Sequence, residues 1–196
     1  MPLGANKAAI MGVAGVSTGA VVLISSQTAD GDSALSFTSG ITSTYGEYIF
    51  KFYNINPVAD GGNFTFQGST DGGSNYNATW TATAFSAKHT EADATALAYL
   101  TTTDGAQQTG FKSLTQSGEA GGGADESSAG EIHIFNPAST TYVKHFYARN
   151  IHYGYSPGAF DYFTAGYWNT TSAIDAIQFK ISSGNFDGTI KLWGVK

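Results

Sequence analysis

The chain has 196 residues, a net charge of −6 and no cysteine, which excludes disulfides, thiolate zinc sites and a cysteine nucleophile. Charged residues make up only 12% of it, and the nine Lys and Arg are scattered. Nucleic-acid binding needs a basic stripe, and this chain has none. Aromatics reach 14% and glycines number 25, a composition of strand formers and tight turns.

In chain order, the first segment is 1–19, small, Gly/Ala-rich and lightly charged. Its apolar run from Ala8 to Ile24 is broken by Gly12, Gly15, Ser17, Thr18 and Gly19. That makes it too short and interrupted for a spanning helix, and weak as a secretory signal. Such a segment cannot build its own core. It is expected to act as an extended arm, burying Leu3, Ile10, Met11, Val13 and Val16 against a neighbouring subunit.

Residues 20–196 are expected to form one domain. Val21 to Ser25 reads as a strand closed by Asp30-Gly31-Asp32, and Leu35 with Phe37 as a second. In Glu47 to Ile55, Tyr48, Phe50 and Phe52 point one way and Lys51 with Tyr53 the other. Asn63 to Gly68 and Thr79 to Phe85 follow, separated by Asp71-Gly72-Gly73. Residues 86–128 read as long loops with one or two weak strands, and Gly118 to Ser128 (GEAGGGADESS) as a mobile or partner-ordered loop. Strong strands return at Gly130 to Asn136, Tyr142 to Ala148, Tyr162 to Trp168, Ile174 to Ile181 and Thr189 to Val195. Nine or ten short strands without a helical period predict an all-β fold, a jelly-roll-type β-sandwich with an extended N-terminal arm.

Candidate chemistry is sparse. His133 and His145 lie on neighbouring predicted strands and would approach each other if those strands pair, but no third ligand accompanies them. His89, Glu91 and Asp93 have the spacing of one strand face, and the expected reading is solvated side chains. The Asp-Gly sequences at Asp30, Asp60, Asp71 and Asp187 are turn signals first and generic calcium oxygens second. No cofactor is expected beyond such a structural calcium. There is no G-x-S-x-G elbow, phosphate loop or H-E-x-x-H, so the chain does not read as an enzyme. The Tyr-dense stretch around Tyr153, Tyr155 and Tyr162 is a candidate glycan or partner surface. Asn63, Asn77 and Asn169 begin glycosylation sequons, relevant only in a eukaryotic secretory setting.

Four blocks carry a likeness: MPLGANKAAIMGVAG, TSGITSTYGEYIFKFYNINP, ADESSAGEIHIFNPASTTYVKHFYA and SSGNFDGTIKLWGVK. Together they resemble a family of tailed-phage proteins common in marine and aquatic phage genomes. The resemblance implies a virion structural protein at the particle surface, assembled in the host cytoplasm. Its partners would be copies of itself, as a homotrimer, and virion proteins such as the major capsid protein, with no membrane involved. The first expectation is a capsid decoration or cement protein. The alternative is a tail-fibre or receptor- or carbohydrate-binding module.

Overall fold

The computed structural model describes residues 21–196, which form thirteen β-strands. In chain order these are β1 (Val21–Asp32), β2 (Leu35–Phe37), β3 (Glu47–Pro57), β4 (Phe64–Ser69), β5 (Trp80–Thr90), β6 (Thr95–Tyr99) and β7 (Gly105–Gln108). They continue with β8 (Lys112–Ser113), β9 (Ser128–Phe135), β10 (Lys144–Tyr153), β11 (Gly158–Trp168), β12 (Ala176–Ile181) and β13 (Phe186–Val195). The arm residues Leu3, Ile10, Met11, Val13 and Val16 lie outside the described residues.

The strands form two antiparallel sheets. The large one runs β1-β13-β3-β9-β10-β11-β5-β6, with β7 also on β5, and the small one runs β2-β12-β4-β8. Four antiparallel pairs are nested in sequence: β1 with β13, β2 with β12, β3 with β9, and β4 with β8. Along these eight strands the chain alternates between the sheets except at the central pair β4 and β8, which share the small sheet, and that is the order of a jelly roll. Two insertions, β5–β7 and β10–β11, widen the large sheet beyond β9. The expected all-β sandwich is therefore present.

The core follows from alternation. Tyr48, Phe50 and Phe52 of β3 face inward with no exposed surface, as their period of two requires. Phe179 on β12 meets Phe37, Phe50, Phe64 and Phe66 at centroid distances of 5.2 to 6.3 Å. Phe50 is the partner on the facing sheet, and the other three rings lie beside Phe179 on the inner face of the small sheet, so the contacts add buried apolar area both across and along the core. β4 is buried along its whole length. Its Gln67 amide donates to the Thr109 and Gly110 carbonyls and accepts from the Trp168 indole, so a polar side chain is satisfied inside the sandwich.

Several strands are longer than the sequence patterns suggested. β1 continues through polar Ser25–Thr28 because β13 pairs with it there. β10 continues past Ala148 because β9 and β11 flank it on both sides. Its inward residues there are Asn150 and His152, both buried, so polarity disguised the period. In residues 86–128, expected as long loops with one or two weak strands, β5 runs on to Thr90 and β6, β7 and β8 follow. The Gly118–Ser128 loop is fastened to the domain. The Asn56 side-chain amide donates to the carbonyls of Gly121, Gly123 and Glu126, Asp60 accepts from Gly122 N–H, and Asn63 accepts from Gly118 N–H. Asn56 reaches the loop from a bulged stretch of β3, where Asn54 has φ of 52° and Gly188 opposite has φ of 138°. A Cβ at Gly188 would also collide with Ile55, so glycine is required there.

Candidate functional site

The widened large sheet presents an outward face on which β9, β10, β11 and β5 place every second side chain. One row crosses Glu131, Arg149, Phe163 and Phe85. The next crosses His133, Tyr147, Ala165 and Thr83. A third crosses His145, Tyr167 and Thr81.

The first row is braced by charge and stacking. Arg149 makes a two-pronged contact with Asp161, at 2.9 and 2.6 Å, and lies 5.1 Å from the Phe163 ring. Phe163 stacks on Phe85 at 4.8 Å, planes 7° apart. In the second row His133 Nδ1 donates to Glu47 at 2.5 Å, and its ring lies flat on Tyr147 at 4.5 Å. His133 Nε2 is 3.3 Å from Glu131, close enough for charge attraction, but its angle makes no hydrogen bond. Burial pushes the Glu131 carboxyl up, and the opposing pull of His133 and Lys51 outweighs this and holds it below its ordinary value.

β9 and β10 do pair, but His133 and His145 are not joined. His133 rests on Tyr147, while the His145 ring tilts against Tyr167 at 6.2 Å. His89 Nε2 and Asp93 Oδ1 share an exposed hydrogen bond at 3.0 Å across the turn after β5, and Glu91 instead accepts from the Tyr153 hydroxyl. The three therefore share a turn and not a strand face. The Asp-Gly carboxylates build turns. Asp71 accepts from Ser69 and Asn75, the Asn75 side chain most strongly, which lowers its pKa to about 2. Asp187 accepts from Gly31 N–H. Among the described residues no three His, Asp or Glu side chains converge as metal ligands.

The candidate Tyr surface is corrected. Tyr155 is exposed and Tyr153 half-buried, but Tyr162 has no exposed surface. Tyr162 shares its strand parity with Trp168, so both point into the core. Its hydroxyl accepts from the buried Lys112 ammonium at 3.0 Å, and that ammonium also donates to the Ser113 carbonyl at 2.9 Å. Burial pushes Lys112 down to about 7, against the raising effect of Asp104, and pushes Tyr162 up. The sequence reading missed Tyr99 and Asp104, which gather on the outward face with Tyr147 and Tyr167, the two ends of the Tyr-dense stretch. The opposite parity of β10 and β11 was the signal that pointed to the last two.

No protein-family model, curated protein or solved structure matches this chain. No helix among the described residues is long and apolar enough to cross a membrane.

Proposed function

We propose that this chain is a non-enzymatic structural protein of a virion surface, a capsid decoration or cement protein that works as a homo-oligomer. The observation that carries the reading is a jelly-roll sheet with two edges that are open among the described residues, each displaying apolar side chains. At the β1 edge Val21, Val22 and Leu23 are 46%, 37% and 47% exposed, and at the β6 edge Leu97 is 77% exposed. Edge strands invite pairing, and proteins that stay alone blunt them with Lys, Pro or bulges. From Val21 to Ala29, and throughout β6, there is neither Lys nor Pro, and the one blunting device on β1 in that range is a bulge at Ile24.

Two different edges meeting head to tail make a heterologous contact, which closes into a ring such as a trimer when its rotation divides the circle. Residues 1–19 precede the β1 edge in sequence and would extend the contact onto a neighbouring subunit or the major capsid protein. A contact of roughly 1,000 Å² or more is the scale of a specific interface. The four sequence blocks that resemble tailed-phage proteins support the setting.

Quantitative mass spectrometry of purified virions tests the reading. Hundreds of copies per particle support a capsid protein. A few to some tens would move the protein to the tail, as the alternative of a fibre or receptor-binding module requires. Deleting residues 1–19 is expected to leave a folded domain that no longer incorporates. Normal decoration by the truncated chain would sink the arm's role.

A further inference from the structure

The outward face of the large sheet is hollowed where large side chains give way to small ones. Ala165 on β11 and Thr83 on β5 sit side by side in register, and both are exposed. Around them rise Tyr147, Tyr167, Tyr99 and Asp104, enclosing a trough of about 740 Å³. A second hollow of about 780 Å³, reaching Tyr142, shares Phe135 and His145 with the first. The two hollows adjoin at these residues and together make the candidate groove.

We propose that this groove binds a neutral oligosaccharide several pyranose rings long. The first support is rigid aromatic faces. One face of the Tyr147 ring is covered by His133, planes 12° apart, and the other side of the residue borders Ala165 across the strand pair. A tyrosine braced in this way offers a flat apolar surface to the C–H face of a sugar with little ordering cost.

The second support is the set of polar groups beside those rings. The Tyr99 hydroxyl donates to Asp104 Oδ2 at 2.6 Å, which orients the carboxylate. Asp104 Oδ1 makes no hydrogen bond among the described residues and is free to accept from a sugar hydroxyl. The Thr83 hydroxyl and both His145 ring nitrogens are likewise without hydrogen-bond partners among the described residues. A few placed polar groups in an otherwise aromatic hollow are what fix a ligand's orientation.

The third support is charge. Neither hollow is lined by Lys or Arg, and Asp104 is their one carboxylate. Sulfated, phosphorylated or sialylated chains would meet a negative group with no counter-charge, and the whole chain carries −6. Pockets for a single small ligand span roughly 300 to 1,000 Å³. Two adjoining hollows therefore suit a chain of sugars better than one ring.

The test is an array of neutral hexose and N-acetylhexosamine oligosaccharides printed beside sialylated and sulfated ones, followed by titration calorimetry with the strongest hit. The intact protein is expected to retain neutral glycans and to bind a hexasaccharide more tightly than the matching disaccharide. Ala165→Leu fills the floor from an exposed position, and Tyr147→Ala removes the platform. Each is expected to weaken binding about tenfold or more, the effect of losing ~1.4 kcal/mol. Tyr155→Ala, outside the groove, should bind as the parent does. A silent array, a preference for anionic glycans, or unchanged binding by Ala165→Leu overturns the proposal. A change of oligomeric state in Ala165→Leu would also overturn it, by showing the groove to be a subunit contact. Copy number on virions is unaffected by any of these results, so the two readings fall separately.

Discussion

His152 lies flat against Phe160, ring centroids 4.8 Å apart and planes 9° apart, and neither imidazole nitrogen has a hydrogen-bond partner among the described residues. The ring is 2% exposed, and burial pushes its pKa down to about 4. In the unfolded chain a histidine titrates near 6.5. Between these values the unfolded state binds a proton that the folded state refuses. Stability should therefore be full above pH 6.5 and fall as the pH drops to about 4, by about 3 kcal/mol in total. Urea unfolding of the parent and of His152→Phe at pH 7 and pH 4.5 checks this. Equal acid sensitivity in the two proteins would refute it.

Lys112 predicts a second slope at the other end of the pH scale. Its folded pKa of about 7 lies below the ordinary lysine value, so between pH 7 and about 10.4 the unfolded state holds the extra proton. Stability should rise with pH across that window, by about 4 to 5 kcal/mol at most. In Lys112→Met the rise should disappear. Loss of the partner to Ser113 and Tyr162 will lower stability by a separate amount that does not depend on pH.

Phe179 meets Phe37, Phe64 and Phe66 of its own sheet and Phe50 of the facing one. Phe179→Ala should cost about 3 to 5 kcal/mol, by lost burial and a cavity that rigid neighbours cannot close. Phe163→Ala removes a half-buried ring stacked on the outer face, with Arg149 alongside, and should cost less than half as much. Denaturant midpoints of the two variants decide it, and equal losses would contradict the placement of the core.

Asn56 holds the Gly118–Ser128 loop through three carbonyls. Asn56→Ala should cost about 1 to 3 kcal/mol, because those carbonyls lose their shared donor. It should also speed limited proteolysis within residues 118–128 more than elsewhere. Uniform cleavage would show that the loop is fastened by other contacts.

Much of the fold was legible because a strand's period of two survives in the sequence. Tyr48, Phe50 and Phe52 on β3, and Ile177, Phe179 and Ile181 on β12, announce an inward face by themselves. Their neighbours at turn residues mark where each strand ends. The pattern failed where inward positions are polar, as at Asn150 and His152. There burial is satisfied by a hydrogen bond or endured without one, and the side chain no longer reports its direction.

The candidate site was less legible. Tyr153, Tyr155 and Tyr162 drew notice by crowding in sequence, yet their parity and turn positions send them to different places. Tyr99, Asp104, Tyr147 and Tyr167 are far apart in the chain and meet only because β5, β10 and β11 are inserted beside the jelly-roll strands.

Strand identity, turn positions and the lack of any thiol chemistry were determined by the sequence alone, since each depends on one residue and its near neighbours. The jelly-roll order, the buried Lys112 and His152, and the groove between Tyr147 and Tyr99 were decided by tertiary structure. They depend on which strands lie side by side, and hydrogen-bonded registers between residues distant in the chain set that.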